Sequence, residues 1–202
     1  MKRLVGYISS EPGHLLPLPD RPLIEALCFF SESMKTYARS LWNFNTTMLN
    51  LLELTNPWLK RHFSGHPFPS TTFNFGPRVC TIPHKDLKNV SWGWCSVTSL
   101  GDYDPTKGGH LVLWDLNLVI EFPPYSTIFL PSAIIMHSNT KIGEEETRLT
   151  ITQYMSGGLL SWLAHGHGPK GDKMESEMEW WNTPRHRFST VQDVLRQSNA
   201  KS

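Results

Sequence analysis

Gly108-Gly109-His110-Leu111-Val112-Leu113-Trp114-Asp115-Leu116-Asn117-Leu118-Val119-Ile120-Glu121-Phe122-Pro123-Pro124 reads as two short strands, 110–116 and 118–122, opened by a glycine pair and closed by a proline pair. Apolar runs this short, bounded by Gly and Pro, are strands rather than helices. The same pattern extends in both directions. Further strands are expected at 71–75, 78–82, 92–100, 127–130, 133–137 and 147–155. The breaks carry Gly76-Pro77, Asp102-Tyr103-Asp104-Pro105, Lys107-Gly108-Gly109 and Gly143. Many short strands with such punctuation give a sandwich or barrel.

Upstream the period changes. Leu41, Trp42, Phe44, Met48, Leu49, Leu51 and Leu52 recur at helical spacing and stop before Pro57, so a core-packed helix is expected there. Residues 1–22 are rich in Pro and Gly and read as irregular. The expected fold is mainly β with N-terminal helices (α+β), the β part being a jelly roll, cupin-like. One structural domain is expected: 1–70 an irregular segment with supporting helices, 71–168 the β core, 169–202 a polar extension. That extension carries Trp180-Trp181 and a short helix pattern at 191–197.

The chain has 202 residues, enough to bury a core of its own. With 19 Lys+Arg against 18 Asp+Glu, net charge gives no support for a nucleic-acid or membrane partner, although a local patch stays open. Three cysteines, Cys28, Cys80 and Cys95, without paired spacing fit a reducing compartment. Met1-Lys2-Arg3 precedes no long apolar segment. The expectation is an intracellular protein with no membrane span, nuclear if its substrate is DNA and otherwise cytoplasmic.

Chemistry concentrates in four places. In Pro83-His84-Lys85-Asp86, positions i and i+2 of a strand share a face, so an imidazole and a carboxylate can meet at one point. His137, closing Pro131-Ser132-Ala133-Ile134-Ile135-Met136-His137, is the natural third ligand. Two His and one carboxylate leave open positions on an iron for O2 and a bidentate oxo-acid. Eleven residues on, Arg148 shares a strand face with Thr150, and a guanidinium with a hydroxyl can grip a carboxylate. Each residue alone has a plainer reading. His84 fits a satisfied histidine, Asp86 a turn residue, His137 a strand end, and Arg148 a pair with Glu144, Glu145 or Glu146. Order and spacing together favour the functional reading.

His84-x-Asp86, Gly108-Gly109 opening a strand, His137 and Arg148-x-Thr150 resemble the 2-oxoglutarate/Fe(II)-dependent dioxygenase superfamily. The stretch from Thr72-Phe73-Asn74-Phe75-Gly76-Pro77 to Gly157-Gly158 is similar to a group of proteins abundant in mushroom-forming fungi, related to TET/JBP-like nucleobase oxygenases. Its most distinctive part is Gly93-Trp94-Cys95-Ser96-Val97-Thr98-Ser99-Leu100-Gly101-Asp102-Tyr103-Asp104-Pro105, running on to Leu116. The resemblance implies a double-stranded β-helix with His84, Asp86 and His137 on Fe(II), Arg148 and Thr150 on 2-oxoglutarate, and O2 as second co-substrate. It also implies hydroxylation of a substrate C–H coupled to succinate and CO2 release. Some relatives place a Tyr about nine residues before the first His; here Phe75 stands there, with Asn74 beside it as a substitute donor to the oxo-acid.

Substrate is less legible. Lys85, Trp94 and His110 are substrate-binding candidates, with Lys88, Trp92 and the run Lys60-Arg61-His62 nearby in sequence. A flipped methylated base would need cations for phosphates and an aromatic face. The plainer reading makes the Trp residues core, the lysines a solvated loop and His110 a solvent-facing strand residue. His165-Gly166-His167 is read as loop. An oxygenase acting on a small molecule or peptide, a cupin-like metal enzyme without 2-oxoglutarate, and an inactive jelly-roll binding module stay open beside the nucleobase reading.

Overall fold

The computed structural model describes residues 2–6, 33–57 and 66–164. The basic run 60–62, His165-Gly166-His167, the Trp pair and the 191–197 helix pattern lie outside these residues. Among the described residues, eight strands form two antiparallel sheets. They are β1 (Lys2–Gly6), β2 (Ser70–Phe75), β3 (Cys95–Asp102), β4 (Leu111–Leu113), β5 (Leu118–Ile120), β6 (Thr127–Leu130), β7 (His137–Asn139) and β8 (Thr147–Tyr154). The order is β1-β2-β8-β3-β6 in the larger sheet and β5-β4-β7 in the smaller. Neighbours in each sheet are mostly distant in sequence, which is the double-stranded β-helix wound by a jelly roll.

Alternation assigns the faces. Val97, Ile128 and Tyr154 from the larger sheet and Ile120 from the smaller pack on one apolar cluster of Cys95, Leu111, Leu113, Phe122 and Leu130. That cluster fills the space between the sheets, and residues two apart along a strand share its side. Ser99 therefore looks inward with Val97. Thr150, paired with Ser99 on one side and Asn74 on the other, looks inward too, and so does Arg148. Helix α1 (Arg39–Thr55) buries Leu49 and Leu52, and its Phe44 and Met48 pack on Val90, Met155 and Leu160. A second helix, α2 (Gly157–Ala164), carries Leu160. No described helix is long and apolar enough to cross a membrane.

The structure departs from the sequence reading in places with identifiable causes. Residues 2–6, expected to be irregular, form β1 and pair with β2 from Lys2↔Phe75 to Gly6↔Thr71. The expected strand at 78–82 runs beside β7 without a regular ladder. Asn139 N–H donates to Thr81 O at 3.3 Å, while the Cys80 thiol and Thr81 hydroxyl take Asn139 acceptors. Pro83 then offers no amide donor. The strand expected at 92–100 starts only at Cys95, after a turn closed by Gly93 N–H to Val90 O. The strand expected at 110–116 ends at Leu113. Trp114–Leu116 is a 3-10 turn, capped by Asn117 at φ 53°, a left-handed position that Asn tolerates.

The largest departure is at 133–137. Pro131 O accepts from both Ile134 N–H and Ile135 N–H, so this apolar run is a tight turn. His137 consequently opens β7 and does not close a strand. A continuous apolar run does not separate strand from turn by periodicity.

Two glycines sit at left-handed backbone angles, Gly101 at φ 114° and Gly109 at φ 72°. A Cβ on Gly101 would meet the Thr147 carbonyl, and one on Gly109 would meet the Tyr103 ring. Gly109→Ala combines φ strain with that collision and is expected to destabilise the fold by about 2 kcal/mol or more. Chemical denaturation of the two proteins checks this, and an unchanged midpoint would contradict it.

Candidate metal and oxo-acid site

His84 and His137 are held by one device. Their backbones exchange both hydrogen bonds, His84 N–H to His137 O at 3.1 Å and His137 N–H to His84 O at 3.0 Å. This is an isolated antiparallel bridge, so the strand expected to carry His84 and Asp86 on one face is replaced by an extended segment held by β7. Each ring is fixed by the carbonyl two residues earlier: His84 Nδ1 lies 2.8 Å from Ile82 O and His137 Nδ1 2.9 Å from Ile135 O. A carbonyl can only accept, so Nδ1 carries the proton and each Nε2 presents a lone pair, the form that binds a metal. The rings lie 4.3 Å apart between centroids.

Asp86 follows in a loop, where its N–H donates to Ser132 O at 2.9 Å. Its carboxylate lies 3.6 Å from His84 Nε2 and receives a long contact, 3.4 Å, from Asn89 Nδ2. Asn89 also donates to Ser132 Oγ at 3.1 Å. One ligating atom from each of His84, Asp86 and His137 lies within 4.8 Å of the others. Neighbouring ligands on one ion with bonds near 2.1 Å sit about 3 Å apart, so small side-chain rotations suffice to bring these atoms onto one ion. Burial pushes the His137 imidazole below its ordinary pKa, against the bond to Ile135 O, which favours the charged ring. A neutral ring is the ligating one.

Arg148 occupies the larger sheet's inner face and is fully buried. It bonds neither Glu144, Glu145 nor Glu146 through its side chain. Nη1 donates to Val79 O at 2.9 Å, and the guanidinium stands over the Phe122 ring at 5.9 Å. Nε and Nη2 are buried and have no partner among the described residues. Burial lowers its pKa and the nearby Tyr103 hydroxyl opposes this, but a guanidinium stays charged in proteins. An unpaired buried donor costs about 1–3 kcal/mol, so these two nitrogens are able to take up an anion. Thr150, two residues on, receives Asn74 Nδ2–H at 2.9 Å. The donor set fits a carboxylate: a fork with free nitrogens, and a hydroxyl held at the same face by Asn74.

Tyr103 braces this corner. Its hydroxyl contacts Ser99 Oγ at 2.8 Å and donates to Phe122 O. Nothing in the sequence singled out Tyr103, Asn89 or Ser132, because each acts through a bond to a residue distant in the chain. Asp115 was missed for the same reason.

The substrate candidates fare differently. Lys85 Nζ lies 2.9 Å from Asp115 Oδ2, so this cation already has a partner. Trp94 lies immediately before β3. Trp92 packs edge-on against Phe44 of α1, centroids 4.6 Å apart. His110 lies on the side opposite Leu111, and its Nδ1 contacts Thr140 Oγ1 at 3.3 Å.

No family model and no curated protein sequence matches the chain. Among solved structures, NgTET1 in complex with 5mC DNA superposes with a TM-score of 0.50 at 18% identity, over 82% of this chain and 69% of that one. A Pseudomonas putida prolyl-4-hydroxylase matches 77% of this chain and 73% of its own at 14% identity and TM-score 0.36. A 2OG-Fe(II) oxygenase family oxidoreductase from Burkholderia pseudomallei matches 52% and 56% at 18% identity and TM-score 0.34. The last two likenesses carry no weight alone. By fold, this chain is a double-stranded β-helix similar to that of NgTET1.

Proposed function

We propose that the chain is an Fe(II)- and 2-oxoglutarate-dependent dioxygenase that hydroxylates a substrate C–H bond. The observation that carries this is the pairing of a His84/Asp86/His137 cluster with a buried guanidinium whose Nε and Nη2 lack partners among the described residues. A cupin-like enzyme that needs no oxo-acid has no use for that cation, and an inactive module has none for either feature. His84, Asp86 and His137 hold the metal; Arg148 and Thr150, with Asn74 behind Thr150, hold the far carboxylate of 2-oxoglutarate. Bound iron and 2-oxoglutarate supply the oxidising power: substrate, O2 and 2-oxoglutarate give hydroxylated substrate, succinate and CO2.

The protein's own share is positional. The carbonyls of Ile82 and Ile135 aim both Nε2 atoms. Val79 O and the Phe122 face fix the guanidinium plane. The co-substrate is then held at both ends, one by the metal and one by the fork, which sets the orientation of its keto-acid group.

For the substrate we propose a methylated nucleobase, oxidised at its methyl group. The fold likeness to a TET protein solved with 5mC DNA supports this, as does the sequence resemblance. The location would then be nuclear. The paired state of Lys85 leaves phosphate contacts to other residues.

Three outcomes are expected. His84→Ala, Asp86→Ala and His137→Ala should each lose Fe(II) binding and turnover, since two ligands hold the ion poorly; anaerobic Fe(II) titration and succinate release measure this, and full activity in any of them removes the triad. Arg148→Met should abolish the rise in melting temperature that 2-oxoglutarate gives the parent. It should melt no lower than the parent without co-substrate, because it deletes a buried charge with unmatched donors; retained stabilisation by 2-oxoglutarate would contradict the anchor. Finally, oligonucleotides containing 5-methylcytosine should stimulate succinate release over unmethylated ones. Equal rates, with stimulation by a small molecule or peptide instead, would overturn the nucleobase assignment.

A further inference from the structure

We infer that Asp115 is a positioning residue for the metal triad, because one of its carboxylate oxygens joins the two chain segments that carry the ligands. The inference rests on the metal-site reading above. Asp115 Oδ2 accepts Met136 N–H at 2.9 Å, and Met136 immediately precedes His137. The same oxygen lies 2.9 Å from Nζ of Lys85, the residue between His84 and Asp86. One atom thus reaches both halves of the triad from a third element, the 3-10 turn Trp114–Leu116.

That turn is itself anchored to β7 on both sides of His137. Trp114 N–H donates to Met136 O at 2.9 Å, and its indole Nε1–H donates to Ser138 Oγ at 3.0 Å. Leu113, just before the turn, is paired with His137 in the ladder. The residues flanking the histidine are therefore clasped by Trp114 and Asp115, while Lys85 ties the His84 segment to the same clasp. The ion pair by itself is half-exposed and weak. The Met136 bond is charge-assisted and stronger. Their joint effect is geometric: ligand atoms must be held within a fraction of an ångström for an ion to bind well, and partners that orient ligands affect metal affinity by about 10- to 100-fold.

The test uses the full chain with Co(II), whose visible bands report ligand geometry. Asp115→Ala should weaken Co(II) affinity about 10-fold and shift or broaden the bands at saturating metal. Lys85→Met should move affinity in the same direction by about threefold, as an exposed pair permits. Parental affinity and bands in Asp115→Ala would overturn the inference, as would a loss of affinity with unchanged bands, which general destabilisation explains. If Asp115→Ala does not fold, Asp115→Asn, which keeps the size but loses the ion pair, is compared with Lys85→Met; parental affinity and bands in both would overturn it. If the parent chain takes up no Co(II), the metal-site reading fails first, a result distinct from a parent that binds and variants that bind equally well.

Discussion

The reciprocal backbone pair between His84 and His137 is the constraint on which the site depends. Two hydrogen bonds fix the relative height of the two Cα atoms, and each ring is then fixed by its own local carbonyl. The cost is low, since no buried charge is needed to aim either ring. It also explains why a segment without a regular ladder can carry a ligand. The chain from Arg78 to His84 touches β7 and β8 at single bridges, Arg78 beside Arg148 and His84 beside His137. Between those bridges it is tied to β7 by Asn139 N–H to Thr81 O and not by the regular ladder of a full strand. Asp86 can then leave the sheet and approach from the loop side, where Ser132 and Asn89 hold it.

Arg148 shows the opposite economy. A buried guanidinium with two unmatched nitrogens is a standing loss for the folded chain without ligand. Structural ion pairs do not look like this; they come with their carboxylate. Two acidic residues close by in sequence have other contacts: Glu146 accepts Asp104 N–H at 2.8 Å and Gly143 N–H, and the Glu144 backbone carbonyl accepts from Arg78. An arrangement that keeps carboxylates away from a buried cation suits the anion-anchoring role proposed for it.

The sequence made some of this legible and hid the rest for physical reasons. Strand residues flanked by Gly and Pro announced the β core, because those two residues punctuate whatever the tertiary context. The candidate ligands could be proposed from the sequence because His-x-Asp, the later His and Arg-x-Thr need only order and spacing, and His84, Asp86 and His137 do lie together. The strand at 133–137 was misread because an apolar run has no alternation to test. Whether Ile134 and Met136 turn outward, as they do, is decided by Pro131 accepting two amides. The residues that support the site were invisible for a different cause. Asn89, Ser132, Tyr103 and Asp115 are ordinary polar residues whose roles exist only through partners 3 to 46 positions away.

The two halves of the site belong to different sheets, and this gives the core a role beyond stability. His137 stands on β7 of the smaller sheet, while Arg148, Thr150 and Asn74 stand on β8 and β2 of the larger. On the proposed reading, the spacing of the two sheets, about 10 Å for packed faces, governs how far His137 stands from the guanidinium. What sets it is the apolar cluster between them: Cys95 and Leu130 from one side, Leu111 and Leu113 from the other, with Phe122 at the corner. Phe122 serves twice, packing in that cluster while presenting its ring to the guanidinium. The Cys95 thiol, pushed up to about 12 by burial, behaves as one more apolar spacer. On the proposed reading, a change of one methylene in these five residues would alter the distance that a two-ended co-substrate has to span, so the packing of this core and the fit of an oxo-acid become one geometric problem.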